Sequence, residues 1–205
     1  MRINVLQNVK KYGLYTLLLS ATLLSSCGDD EAPEPENEVE VITDVTLIFT
    51  NTADAADVVT ARANDPDGEG VQELQILDEI TLTSGVTYTL TYTITNALDP
   101  NDPEDIGAEI LGEDDEHQFF FSFTTDAFTN PTGGGNIGAT GDINYNDMDE
   151  NSNPVGLNTT WTTGAAQMDA FFRVRLQHQP GVKTATTGSG DGDTDFDLNF
   201  VLNIE

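Results

Sequence analysis

The chain of 205 residues holds one cysteine, two histidines and only seven lysines and arginines together. Each scarcity excludes something. A single thiol cannot build an intrachain disulfide framework. The residues after it, Asp29, Asp30 and Glu31, give the wrong field for a catalytic thiolate, which needs positive neighbours or a helix N-terminus. Seven bases against 36 acids leave a formal charge of −29, which repels nucleic acid phosphates and anionic lipid headgroups. Beyond residue 24 there is no apolar run long enough for a membrane span. Nor does a glycine loop lead into a helix to cradle phosphate. "TGSGDG" is not a nucleophile elbow, because Ser189 sits between adjacent glycines and no helix follows. Paired carboxylates of glycosidase type cannot be singled out among 36 acids. The chain reads as non-enzymatic.

What is present begins with a leader. The first eleven residues carry Arg2, Lys10 and Lys11 and no acid, and an apolar run with small interruptions follows from Tyr12 to Leu24. That is a basic n-region and an h-region of secretory type, too short to span a bilayer. It ends in Leu24-Ser25-Ser26-Cys27, which resembles the bacterial lipobox. The resemblance implies that residues 1–26 are a lipoprotein signal peptide and that Cys27 is the lipid attachment point. Each methylene buried in the membrane contributes about 0.8 kcal/mol, and more than one acyl chain makes the anchor durable. The alternative is a free cysteine in an ordinary signal peptide. Residues 27–40, "CGDDEAPEPENEVE", have acids, two prolines and no aromatic ring, and read as a disordered, self-repelling acidic tether. An acid cluster after a lipidated cysteine also resembles the surface-export signal of Bacteroidota-type lipoproteins, implying an outer-membrane protein exposed at the cell surface. A plain solvated linker is the other reading. Without the leader, four bases face 36 acids, a formal charge of −32. Such a surface attracts cations or a basic partner.

Residues 41–205, about 165 of them, suffice for one domain with a real core. The clearest segment is "VTYTLTYTIT": Val86, Tyr88, Leu90, Tyr92 and Ile94 face one way and five threonines the other, the period of a half-buried antiparallel strand. A loop Thr83-Ser84-Gly85 with Gly85 left-handed would pair Leu82 with Val86 in a hairpin. Phe196, Leu198, Phe200, Leu202 and Ile204 repeat the alternation at the C-terminus. Further strands are expected over Val41–Thr50, Asp57–Ala63, Glu73–Leu82, Gln118–Thr124, Ala139–Asn146, Leu157–Thr163 and Met168–His178. Turn clusters such as "NDPDGEG" and "NPTGGGNIG" separate them. Pattern and spacing predict an all-β fold, a single antiparallel sandwich of immunoglobulin-like kind. One short helix is expected over Pro103–Leu111, capped by Asp102 and closed by Gly112, with Ile106 and Ile110 inward.

Five sites could carry chemistry. His117 adjoins Glu113, Asp114, Asp115 and Glu116, and imidazole with carboxylates can hold zinc or another transition ion, although no HxxxH or HxH spacing supports it. His178 shares the apolar face of Phe172, Val174 and Leu176, which makes it a residue at the core's rim unless the fold brings it to His117. Asp147, Asp149, Asn151 and Asn153 occupy positions 1, 3, 5 and 7 of an EF-hand-like calcium loop. Ser152 in place of glycine and Asn158 in place of glutamate fit a polar hairpin loop better. Asp191, Asp193, Asp195 and Asp197 share a side if extended, which reads most simply as the wet face of the last strand. Trp161 could stack on a sugar, but shares a face with Leu157 and Thr159 and reads better as core.

The lipobox with its acidic tail, "EVEVITDVTLIFT", "DEHQFFF", "DMDENSNPVGL" with "TTWTTG", "RVRLQHQP" and "GDTDFDLNFVLNI" together resemble, in matching order, a set of small acidic Bacteroidota-type envelope lipoproteins. Members commonly go by the description "type 1 periplasmic binding fold superfamily protein". Two α/β lobes of that kind need far more helix than this pattern offers, so the sandwich reading stands. The resemblance brings no catalytic residues, and places His117 and His178 inside shared motifs. It implies work beside a TonB-dependent outer-membrane transporter. The expected function is binding of a cation or small solute, or of the transporter itself, with calcium or zinc as the candidate ions. A carbohydrate-binding or adhesive surface module is the alternative, and would need Trp161 exposed.

Overall fold

The computed structural model describes residues 40–68 and 73–205. The expected leader, Cys27 and all of the tether but Glu40 lie outside the described residues. Among the described residues ten strands and one helix follow in order: β1 (Asp44–Asn51), β2 (Val58–Asn64), β3 (Gln75–Ile76), β4 (Ile80–Leu82), β5 (Thr87–Thr95), α1 (Ile106–Gly112), β6 (His117–Phe123), β7 (Phe128–Asn130), β8 (Thr159–Thr163), β9 (Gln167–His178) and β10 (Asp193–Ile204). They form two sheets, β3-β2-β1-β5-β8-β7 and β4-β10-β9-β6. Every pairing is antiparallel except β4 on β10, which is parallel. The fold is an all-β sandwich.

Period-2 patterning explains the core. Val45, Leu47 and Phe49 of β1 and Tyr88, Leu90 and Ile94 of β5 are buried from one sheet. Phe119, Phe121, Phe172, Val174, Leu198 and Phe200 are buried from the other. The layers meet ring to ring: Trp161 lies 5.0 Å from Phe172 and 5.1 Å from Phe121, both edge-on, the arrangement the ring quadrupoles favour. Trp161 is fully buried and its indole N–H donates to Thr159 Oγ1. It is a core residue, not a sugar platform.

Three local expectations are corrected. Gly85 is left-handed as expected, with φ +72°, yet β4 and β5 belong to different sheets, so Leu82 does not pair with Val86. The backbone of Leu82 is taken by the last residue, since Glu205 N–H donates to Leu82 C=O and Ser84 N–H to Glu205 C=O. The segment Glu73–Leu82 breaks into β3 and β4 for the same reason: the first pairs with β2 and the second with β10. Ala139–Asn146 forms no strand. It contributes one bridge, Tyr145 to Thr159, and folds against a glycine cluster where a Cβ on Gly135 would stand 2.2 Å from Phe121 O.

The helix starts three residues later than Pro103. Asn96 and Glu104 form a backbone bridge that keeps residue 104 extended, so Asp105 rather than Asp102 caps, its carboxylate accepting from Ala108 N–H at 3.1 Å. Ile106 and Ile110 are buried as expected.

Candidate metal centre

The turn after α1 delivers the site. Glu116 N–H donates to Glu113 C=O and β6 then begins at His117. Antiparallel register places His117 opposite His178, the last residue of β9. The two histidines of the chain stack with ring centroids 4.4 Å apart and planes within 4°. Both are buried. Glu113, His117 and His178 each offer a ligand atom within 4.8 Å of the others, the one such group of three among the described residues.

Hydrogen bonds fix the chemistry of each ring. His117 Nδ1 lies 3.2 Å from Glu113 C=O, an acceptor only, so the ring N–H is on Nδ1 and Nε2 carries a lone pair. That Nε2 has no hydrogen-bond partner. His178 Nε2 lies 3.4 Å from Glu116 Oε2. Burial pulls His117 down to about 4, only partly opposed by the Glu113 carbonyl, so the ring is neutral at physiological pH and ready to ligate.

Carboxylates crowd the same end of the sandwich. Burial raises Glu40, and Glu109 and Glu113 push it further while His178 opposes them. Asp195 Oδ2 stands 4.0 Å from His117 Nε2, with side chains 1 % and 0 % exposed. Burial raises Asp195 to about 7. Between about 4 and 7, therefore, His117 is neutral and Asp195 protonated, and their contact is not an ion pair.

The structure thus gathers His117, His178 and Glu113, with Glu116 on the rim, and leaves Asp147, Asp149, Asn151 and Asn153 outside this cluster. The two aspartates of that loop already have partners. Asp147 accepts from Gly156 and Asn158 N–H. Asp149 accepts from Asn151 and Asn153 N–H, from Asn153 Nδ2 and from the Lys183 ammonium at 3.3 Å. The bonds within the loop are those of a polar hairpin, and Lys183 adds one contact from outside it.

Asp195 is the residue that sequence reading misplaced. Strict alternation puts it on the wet face with Asp193 and Asp197. Thr194 pairs with Gln177 but Phe196 pairs with Leu176, so Asp195 is the extra residue of a bulge. No periodicity argument signals that.

No family model, curated protein or solved structure matches this chain.

Proposed function

We propose that this chain is a non-catalytic, lipid-anchored outer-membrane lipoprotein whose sandwich binds a cation at the His117–His178 pair, in the service of a TonB-dependent transporter. One observation carries the reading: a chain with two histidines places both, buried and stacked, beside Glu113. A neutral imidazole with a free lone pair inside the core has no packing advantage over phenylalanine, and its unpartnered nitrogen costs about 1–3 kcal/mol. An ion at that nitrogen would remove the penalty. The acid surplus would concentrate cations around the domain.

One feature supports the solute part of the reading. A hollow of about 560 Å³ lies between the 136–145 and 184–188 segments, over Gln118 and Phe120. Burial of Trp161 removes the observation that would favour an adhesive module.

The test is titration of the purified full chain with Zn²⁺ and with Ca²⁺, read as melting temperature. Zinc at 100 times its dissociation constant should contribute about 2.7 kcal/mol, a rise of about 5–10 °C for a domain of this size. Calcium should do nothing comparable. No zinc shift at millimolar metal refutes the cation site. Cys27→Ser should separately release the protein from membranes, and unchanged fractionation refutes the anchor.

A further inference from the structure

We infer that Asp195 is an inner ligand of the ion, so that the centre closes between His117 Nε2 and the Asp195 carboxylate and takes a divalent transition ion of the zinc kind. This rests on reading the histidine pair as a cation site and adds a ligand and an ion class to it.

Two unpartnered buried atoms face one another. Among the described residues His117 Nε2 and Asp195 Oδ2 both lack hydrogen bonds, and they stand 4.0 Å apart in the interior. Two ligands on one tetrahedral zinc ion are about 3.3 Å apart, given metal–ligand lengths near 2.0–2.1 Å. The observed gap is wider by about 0.7 Å, within reach of small side-chain rotations. A direct hydrogen bond would need a closer approach than this, and the pair is held just beyond it.

The backbone is arranged to put the carboxylate there. Thr194 stays on the outer face, where its hydroxyl meets Gln177 Oε1, and Phe196 enters the core. The bulge between them turns Asp195 inward, toward the face that carries His117 and His178. Its neighbour Asp197 points outward into Arg173 and Arg175. A carboxylate that strict alternation would have left in water is instead buried with its Oδ2 unpartnered, at a position where folding alone gains nothing from that oxygen.

Donor chemistry then selects the ion. His117 is common to two contacts, lying within 4.8 Å of Glu113 and His178 and 4.0 Å from Asp195, which stands outside that group of three, so a shared ion would have to draw the Asp195 carboxylate toward the imidazoles to complete a mixed nitrogen and oxygen set. Zinc and its transition-series neighbours accept that set, whereas calcium wants six to eight oxygens.

The experiment compares wild-type full chain, Asp195→Asn and Asp195→Cys. Zinc affinity, measured by chelator competition, should fall by about tenfold or more in Asp195→Asn, while the metal-free melting temperature stays level or rises. Asp195→Cys loaded with Co²⁺ should show a sulfur-to-cobalt charge-transfer band absent from wild type. If wild type and Asp195→Asn bind zinc equally and the cobalt-loaded cysteine variant lacks the band, Asp195 is not a ligand and the histidine site stands without it. If wild type binds no zinc, both readings fall together.

Discussion

Lys183 offers the sharpest test of how the loops around the site are held. Its ammonium lies 3.3 Å from Asp149 Oδ2, with both side chains 1 % exposed, and it also donates to Asp114 C=O in the turn before His117. Lys183→Met keeps most of the apolar stem and deletes the charge. Removing one partner of a deeply buried pair typically costs about 3–5 kcal/mol. Two features reduce that here. Asp149 keeps three N–H donors, from Asn151 N, Asn153 N and Asn153 Nδ2, at 2.9, 2.8 and 3.1 Å. Burial, moreover, pulls the Lys183 ammonium below its usual range despite Asp149, so a desolvation penalty disappears along with the lysine. At the other end, burial alone would raise Asp149, and its hydrogen bonds and Lys183 bring it below the ordinary carboxylate range. The two ends disagree about the worth of the pair; the Asp149 side reflects the loop, because most of its donors are loop amides. We expect Lys183→Met to cost about 2 kcal/mol, near the lower edge of the buried-pair range.

Urea unfolding followed by Trp161 fluorescence reads this directly, since Trp161 is the sole tryptophan and is buried. With a slope of about 2 kcal/mol/M, the midpoint should fall by about 1 M. Adding Asp149→Asn should recover part of the loss, a coupling of about 1 kcal/mol. A Lys183→Met midpoint within about 0.2 M of wild type at unchanged slope, or zero coupling, would refute the reasoning.

Gly192→Ala should damage both fold and site. Gly192 has φ +79°, and a Cβ there would stand 2.1 Å from His178 O, so about 2 kcal/mol or more should be lost. Zinc affinity should fall with it. Gly181→Ala, with φ +65° and open space, is the control and should cost about 1 kcal/mol without touching zinc binding. If the two variants melt alike, the clash argument is wrong. Asp197→Asn tests pH dependence. Burial raises the Asp197 carboxyl, but hydrogen bonds from Arg173 and Arg175 outweigh it and leave the group below its usual range. Its stabilisation is therefore present above the unfolded value of about 4 and lost as pH falls through the lower folded value. Part-exposure holds the effect to about 1 kcal/mol at pH 7, and the variant and wild type should converge in strong acid. A difference that persists there would exclude the carboxylate as its source.

How much was legible differs between elements. Period-2 runs located β1, β5, β9 and most of β10, because one buried face imposes alternation whatever the partner strand. Ile106 and Ile110 marked the inner face of α1 from spacing alone. The Ala139–Asn146 strand failed because its few apolar residues mimic a short alternating run, while the glycines beside it pack backbone on backbone. His117 drew notice through its acidic neighbours, and His178 through its rarity. Neither carried the other's position.

By itself, then, the sequence determined a strand-rich domain, its inward faces and the scarcity of imidazole, since these depend on residue type and on neighbours along the chain. Only the tertiary structure decided that β4 and β5 part company, that His117 and His178 stack, and that Asp195 turns inward. Sheet membership, cross-strand register and a one-residue bulge depend on contacts between segments far apart in the chain, and local pattern holds no record of them.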